Sequence, residues 1–321
     1  MAAAPRLGVL LNRFGGRDRR ALRRLRAALA EAGQRVVVRE SESARRCGDA
    51  LEALLAEDVV AIAVAGGDGT VHHAITWLLN RAPGAPLPPL AILPTGTTNV
   101  TAHDIRADMS PAGELRGLLN RIVRDRMPSG LVTRRTMAVQ LGDDIVPRYG
   151  LMGGAAGIYQ GTVLIRRHLR RWGARGALGP IAGMARMIGP LLIGRNPIAP
   201  VAAAIAADTR PLADTRYVSI LLSTLHSLSP GISPFWGSGP GALRLTLVRE
   251  QPRHFARAVW PALRGRRSTV ATPENGYISL NADSLELRMS GGFVLDGEIL
   301  ELREDQPARV TTGPELLFLR S

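Results

Sequence analysis

The sequence predicts a parallel α/β domain followed by a mostly antiparallel β domain. Three observations carry this. Apolar strand-like runs alternate with helical patterns in the first part of the chain, and from about Val132 the runs become shorter and strand-like throughout. A length of 321 residues is also more than one core usually serves, so two domains are expected.

In order, Leu7 to Leu11 reads as a strand, Asp18 to Ala32 as a helix ending at Gly33, Arg35 to Val38 as a strand and Ala44 to Glu57 as a helix. Val59 to Ala65 is then a strand, Thr70 to Asn80 a helix and Leu90 to Leu93 a strand, with the proline-rich Ala82 to Pro89 as a surface connection. A helix over Ala112 to Asp125 completes this part. The second part reads as strands at Arg135 to Leu141, Pro200 to Ala206, Tyr217 to Ser223, Ala242 to Val248, Ser268 to Thr272, Leu285 to Met289 and Phe293 to Leu295. Helical insertions are expected at Gly161 to Ile188 and His254 to Leu263. In such a sheet ligands bind outside the carboxyl ends of the strands, and a cleft between two domains is the natural reaction site.

Two glycine turns sit at such strand ends. Gly66 to Thr70 reads GGDGT after one apolar run, and Leu93 to Asn99 reads LPTGTTN after another. A buried strand that ends in glycines and turns into a helix presents backbone N–H groups to phosphate oxygens, and the helix dipole adds to the attraction. Asp68 would repel phosphate unless a cation lay between them, which implies magnesium and a nucleotide triphosphate.

All 41 residues counted as Lys+Arg are arginine. A Walker A loop, a protein-kinase strand lysine and Schiff-base chemistry are therefore excluded, and phosphate must be handled by backbone amides, hydroxyls, arginine and metal. A GC-rich coding sequence would produce the same bias, and the chemical consequence holds either way. The single cysteine, Cys47, excludes a disulfide scaffold and fits a reducing cytoplasm. No signal peptide is read, since Leu7 to Leu11 is too short, and Arg186 and Arg195 interrupt the best candidate span, Gly176 to Pro200. The expectation is a soluble or peripheral protein.

The formal charge is +14 and only 4% of residues are aromatic. With no aromatic-studded basic strand, Cys/His cluster or basic heptad helix, no nucleic-acid partner is expected. The charge is uneven: between Asp144 and Asp208 there is no acidic residue, while Arg166, Arg167, Arg170 and Arg171 fill positions between Ile165, Leu169 and Trp172. This reads either as an interfacial surface for anionic lipid headgroups or as a solvated helix packed on the second domain.

Four features in order give a family resemblance over nearly the whole chain: Asn12 with Gly15 and Gly16 after the first strand, GGDGT at Gly66 to Thr70, PxGTxN at Pro94 to Asn99, and DGE at Asp296 to Glu298. The chain resembles the diacylglycerol kinase and sphingosine kinase superfamily of soluble lipid kinases. The resemblance implies an NAD kinase/diacylglycerol kinase-like α/β nucleotide domain at 1–131, joined by the tail 306–321. It also implies a β-sandwich-like lipid-binding domain at 132–305 with an Arg-rich insertion at about 161–200. By that likeness Asn12, Gly66, Gly67, Asp68, Gly69, Thr70, Gly96, Thr97 and Asn99 line the ATP site, and Ser43, ahead of the Gly48-Asp49-Ala50 run, places a hydroxyl near the nucleotide. Asp68 would hold Mg2+, directly or through water, and Glu298 is similar to the general base that takes the proton from a lipid hydroxyl. The implied reaction is ATP-dependent phosphorylation of diacylglycerol, a sphingoid base or ceramide, at the inner face of the membrane. NAD kinase shares GGDGT and is the second kinase reading; a catalytically weak ATP- or lipid-binding protein is the alternative outside catalysis.

The chain departs from the family at three places. Arg13 follows Asn12 where proline is common, Val100 replaces an aspartate after PxGTxN, and Pro240 to Arg244 reads PGALR in place of DGxLD, so no second metal site is expected. Other patterns imply less. His72 and His73 are adjacent and cannot share a helical face as zinc ligands, and Gly231-Ile-Ser233 lacks the closing glycine of a nucleophile elbow. Gly153 to Gly157 reads as tight packing at a domain junction, and Asp296 to Glu298 alone could be a hairpin turn.

Overall fold

The structure, a computed structural model, describes residues 5–14, 19–124, 130–172, 198–212 and 214–321. The chain forms two compact units, Met1–Arg134 with Glu315–Ser321, and Arg135–Pro314.

The first unit runs β1 (Arg6–Asn12), α1 (Arg19–Ala32), β2 (Val36–Ser41), α2 (Gly48–Leu55), β3 (Val59–Gly66), α3 (Asp68–Arg81), β4 (Leu90–Pro94), α4 (Val100–Ile105) and α5 (Pro111–Arg124). Its sheet is parallel in the order β4-β3-β1-β2, with Gly8 of β1 in register with Val37 and Ile62. Parallel strands are covered on both faces, which is why β1 and β3 read as unbroken apolar runs. On one face Leu25, Ala28 and Leu29 of α1 and Leu115, Leu118 and Ile122 of α5 join Val9, Ala63 and Leu93 in a single core; α2 and α3 contact β1 and β3. The chain's last residues add a parallel edge beside β4, where Phe318 pairs with Leu90.

The second unit holds β5 (Leu131–Leu141) from Arg135 onward, β6 (Arg148–Gly150), β7 (Met152–Ala156), α6 (Gly157–Trp172), β8 (Val201–Ala207), β9 (Arg210–Pro211) and β10 (Thr215–Ser223). It continues with β11 (Leu243–Arg249), α7 (Phe255–Leu263), β12 (Tyr277–Ala282), β13 (Ser284–Arg288), β14 (Gly291–Leu295), β15 (Glu298–Leu302) and the start of β16 (Ala308–Leu319). The order is β15-β14-β7-β10-β8-β13-β16, with β11 and β12 added beyond β10, and the pairs are antiparallel. Tyr217, Ile220, Leu245, Leu287, Phe293 and Val310 make its core.

Several expectations are corrected. The helix expected over Ala44 to Glu57 is a single 3-10 turn, Ala44–Arg46, and then α2, with Cys47 between them. Ser268 to Thr272 is not a strand: Ala271 N–H bonds Ser268 O in a turn, and the true strand, β12, begins at Tyr277 past Pro273. Gly153 to Ala156 is not junction packing but most of β7, an inner strand between β10 and β14. The tail belongs to the first unit only from Glu315 rather than 306, because residues 308–311 pair with β13 in the second unit. Of the insertion expected at Gly161 to Ile188, α6 covers the first part, and residues 173–188 lie outside the described residues.

Candidate active site

The two glycine turns meet in the first unit, and they meet backbone to backbone. A Cβ on Gly96 would come within 2.5 Å of Gly67 Cα, and one on Gly66 within 2.4 Å of Thr70 Cβ. A side chain on Gly96 would push the two loops apart, and one on Gly66 would collide with Thr70 within its own turn, so glycine is required at both positions by space. Thr95 N–H bonds Gly66 O at 3.0 Å and continues the contact of β4 with β3 into the loops. Gly67 then caps α3, its carbonyl accepting from Thr70 and Val71 N–H, so the first turn of the helix opens at the sheet's carboxyl edge.

The polar residues around this cradle mostly hold its shape. Asn12, buried at the end of β1, donates through Nδ2 to Thr70 Oγ1 at 2.9 Å and accepts from Phe14 N–H. Asn99, in the left-handed region at φ 46°, clamps its own loop: Oδ1 accepts from Gly96 N–H and Nδ2 donates to Gly96 O, both at 2.9 Å. Thr97 is half-buried in that loop, and Gly69 sits in the first turn of α3. Gly15 and Gly16 lie outside the described residues.

Asp68 lies at the first position of α3, and its carboxylate crosses to the second loop. Thr98 Oγ1 donates to Oδ2 at 2.6 Å and Thr101 N–H to Oδ1 at 3.4 Å, so Asp68 places negative charge at the start of α4. Neither threonine was legible as a partner, since α4 itself is short and carries no sequence signal.

Ser43, expected to place a hydroxyl near the nucleotide, has a local partner. Its Oγ accepts from Arg46 N–H and caps the 3-10 turn that follows β2. At the strand end before it, Ser41 Oγ is buried with no hydrogen-bond partner, beside Asn12 in the β1–β2 register. Thr95 Oγ1, at the end of β4, is likewise buried and unpartnered. Buried hydroxyls without partners call for an explanation, and two at the carboxyl edge of this sheet fit a polar ligand there.

The DGE triplet lies in the second unit as the turn of the β14–β15 hairpin. Asp296 (φ 47°) and Gly297 (φ 87°) both take positive φ, the form a two-residue hairpin turn demands, and Leu295 pairs with Glu298 across it. The hairpin reading of the motif is thus correct, and it leaves a role for Glu298. Asp296 is buried and turned inward, its carboxylate accepting from Leu151 N–H at 3.0 Å and Met152 N–H at 2.9 Å. Glu298 is partly exposed, and Arg166 of α6 reaches the same turn, donating to Gly297 O and standing 3.7 Å from Glu298 Oε1. The sequence places Arg166 either on a lipid-facing surface or on a solvated helix packed on the second domain; its place on this turn is a feature that spacing alone does not reveal.

A nucleotide triphosphate fits the first unit's residues: a glycine cradle that no Cβ could share, unpartnered hydroxyls at the strand ends and a helix N-terminus. Among the described residues there is no group of three or more His, Cys, Asp or Glu able to hold a metal by itself. Asp68 alone suits magnesium, which commonly takes one or two carboxylates and fills its remaining positions with water and phosphate oxygens.

Residues 6–127 match the family model for the diacylglycerol kinase catalytic domain. Among solved structures, a candidate diacylglycerol kinase from Bacillus anthracis str. Sterne aligns at TM-score 0.67 with 15% identity, covering 100% of this chain and 97% of that one. A diacylglycerol kinase from the same organism aligns at 0.60 and 15%, covering 100% and 98%. Yeast NADH kinase in complex with NADH aligns at 0.51 and 11%, covering 98% of this chain and 84% of that one. At these identities the likeness shows the fold, a parallel α/β unit followed by a largely antiparallel β region, as the sequence predicts. No curated protein matches the chain by sequence.

Proposed function

We propose, from the match of residues 6–127 to the family model for the diacylglycerol kinase catalytic domain, that the chain transfers the γ-phosphoryl group of ATP to a hydroxyl of a membrane lipid: diacylglycerol, a sphingoid base or ceramide. The observation that carries this reading is the contact between Gly67 and Gly96, which fuses two strand-end loops into one anion cradle in a chain without lysine.

In this reading backbone N–H groups of Gly67 to Thr70 and of the Gly96–Asn99 loop bind the phosphates, with Ser41 and Thr95 hydroxyls close by. Asp68 would hold magnesium, which supplies charge neutralisation on the phosphate oxygens when bound. Glu298 accepts the proton of the lipid hydroxyl as that oxygen attacks the γ-phosphorus; a positioned carboxylate of this kind contributes about 10²–10⁴-fold. Arg166 orients Glu298 by holding the turn that carries it. The protein attaches peripherally to the inner face of the membrane through its Arg-rich insertion at about 161–200, of which 173–197 lie outside the described residues. No helix among the described residues is long and apolar enough to cross a membrane.

A second reading, an ATP- or lipid-binding protein with weak catalysis, is favoured by one observation: Thr98 and Thr101 already engage the Asp68 carboxylate. One experiment separates the two. Labelled γ-phosphate transfer from ATP with magnesium is followed to diacylglycerol, sphingosine and ceramide in mixed micelles, with NAD as a further acceptor, for wild type and Glu298→Ala. Product on one lipid, lost in the variant, supports the kinase. ATP binding without transfer to any acceptor supports the second reading.

A further inference from the structure

Outside the cradle and the DGE turn, the most unusual surface is that of α7. From Gln251 to Pro273 the chain has five arginines and no acidic residue. Arg257, Trp260 and Arg264 follow one another at spacings of three and four, which places them in one stripe along the helix and its C-terminal end, and Arg253 lies just before the helix, ahead of His254 in the left-handed region. All four are exposed, Trp260 at 60%. Arg266 and Arg267, just beyond the helix, are exposed as well. The opposite side is ordinary core: Ala258 is fully buried and packs with Phe255, Ala271 and Tyr277. Among the described residues none of these five arginines has a carboxylate partner, whereas Arg216 pairs with Glu250 and Arg288 with Glu286.

A solvated helix face needs no tryptophan. Arg264 stands 4.6 Å from the centre of the Trp260 ring and keeps cation and indole together on the surface. Indole with unpaired arginine is the chemistry of the membrane interface, where the ring sits at headgroup depth and the cations meet lipid phosphates. A nucleic acid would also attract the arginines, but it asks for aromatic platforms in series along a groove. Trp260 stands alone on this stripe.

We propose that the α7 stripe is a docking surface for an anionic lipid bilayer, additional to the Arg-rich insertion. It names how the second unit meets the membrane, and in that sense it rests on the lipid-kinase reading. The test is co-sedimentation of the full chain, without ATP, with vesicles of phosphatidylcholine alone or mixed with phosphatidylglycerol. Wild type, R257Q/R264Q and W260A are compared, each checked for an unchanged thermal transition. Each exposed arginine removed weakens partitioning about fivefold, so the double variant is expected to lose roughly twenty-fivefold on mixed vesicles. Brominated acyl chains quench part of the wild-type tryptophan emission, and W260A removes that part. The same variants phosphorylate lipid in neutral detergent micelles at the wild-type rate, so a failed kinase assay with intact vesicle binding counts against the kinase reading alone. Double-variant partitioning within roughly twofold of wild type, with no quenching assignable to Trp260, overturns the proposal. So does vesicle binding unchanged by the variants alongside duplex DNA binding that they abolish, which would make the stripe a nucleic-acid surface.

Discussion

Asn12 and Asn99 turn their side-chain amides toward the protein's own backbone and hydroxyls, so their effect on a ligand is exerted through the cradle they shape. Asn99→Gly keeps the left-handed φ and removes only the clamp on Gly96. Losing these bonds is expected to weaken ATP binding by about 1–2 kcal/mol, five- to thirtyfold, with little change in melting temperature. Calorimetric ATP titration would show it, and unchanged affinity would mean that the loop holds its shape unaided. Cys47 gives a second prediction at this scale. It is buried, and burial pushes its thiol up to about 11. Because the folded pKa is raised, the stability tied to the protonated thiol is fully present below the usual thiol pKa and is lost as pH rises through about 11. Native protein at pH 8 should therefore leave Cys47 unmodified by Ellman's reagent over the time in which unfolded protein reacts completely. Rapid labelling of the native state would contradict this.

At the scale of elements, what the sequence revealed and what it hid follow from one distinction. β1, β3, β4 and α3 were legible because their own residues specify them: unbroken apolar runs for buried parallel strands, and glycine before a helix. β7 was not, since MGGAA has no β-branched residue. It is a strand because β10 and β14 pair with it on both sides and because Gly153 leaves room for the Phe293 ring, whose atoms lie 2.7 Å from where a Cβ would be. Ser268 to Thr272 misled in the opposite sense, its Thr and Val favouring a strand that no neighbour pairs. The short α4 was invisible for the same reason. Long-range groups hold it, namely Asp68 at its start and, near its end, the buried pair of Asp104 with Arg134 at 2.5 Å. Asp104→Ala leaves Arg134 buried beside nothing of opposite charge on that helix and is expected to cost about 3–5 kcal/mol. Urea unfolding would measure it. A loss under about 1 kcal/mol would show that Arg134 finds solvent instead. The DGE turn makes the complementary case, because Arg166→Gln removes its ion pair with Glu298 without touching the core. Its kcat should fall while the thermal transition stays; a fall in stability with kcat intact would make Arg166 structural.

For the whole molecule, the chain's last residues close the first unit. Phe318 and Leu319 are fully buried, and Phe318 pairs with Leu90 to give β4 a covered edge. The end is latched by Glu114, a fully buried carboxylate on α5 that accepts from Ser321 N–H at 2.8 Å, Ser321 Oγ at 2.7 Å and Asp108 N–H at 2.6 Å. This share of the fold could be expected in outline from the resemblance but not located by pattern, because strand β16 is one continuous run whose first half pairs with β13. Nothing local marks where one unit's share gives way to the other's. Removing residues 315–321 takes away only first-unit residues. It uncovers the β4 edge and leaves Glu114 buried with one of its three donors, each lost bond costing about 1–3 kcal/mol in addition to the apolar area exposed. Hydrogen exchange read by mass spectrometry should then show β1, β3 and β4 losing protection, while β10, β11 and β14, which lose no residue, keep theirs. Glu114→Gln is the milder version: an amide keeps one acceptor but presents a donor where another N–H or O–H pointed, so first-unit protection should fall by less than in the truncation. Equal protection in wild type and truncation would mean that the parallel sheet is complete at β4, and the latch would then be an ornament of the surface with no part in holding the glycine cradle that β3 and β4 carry.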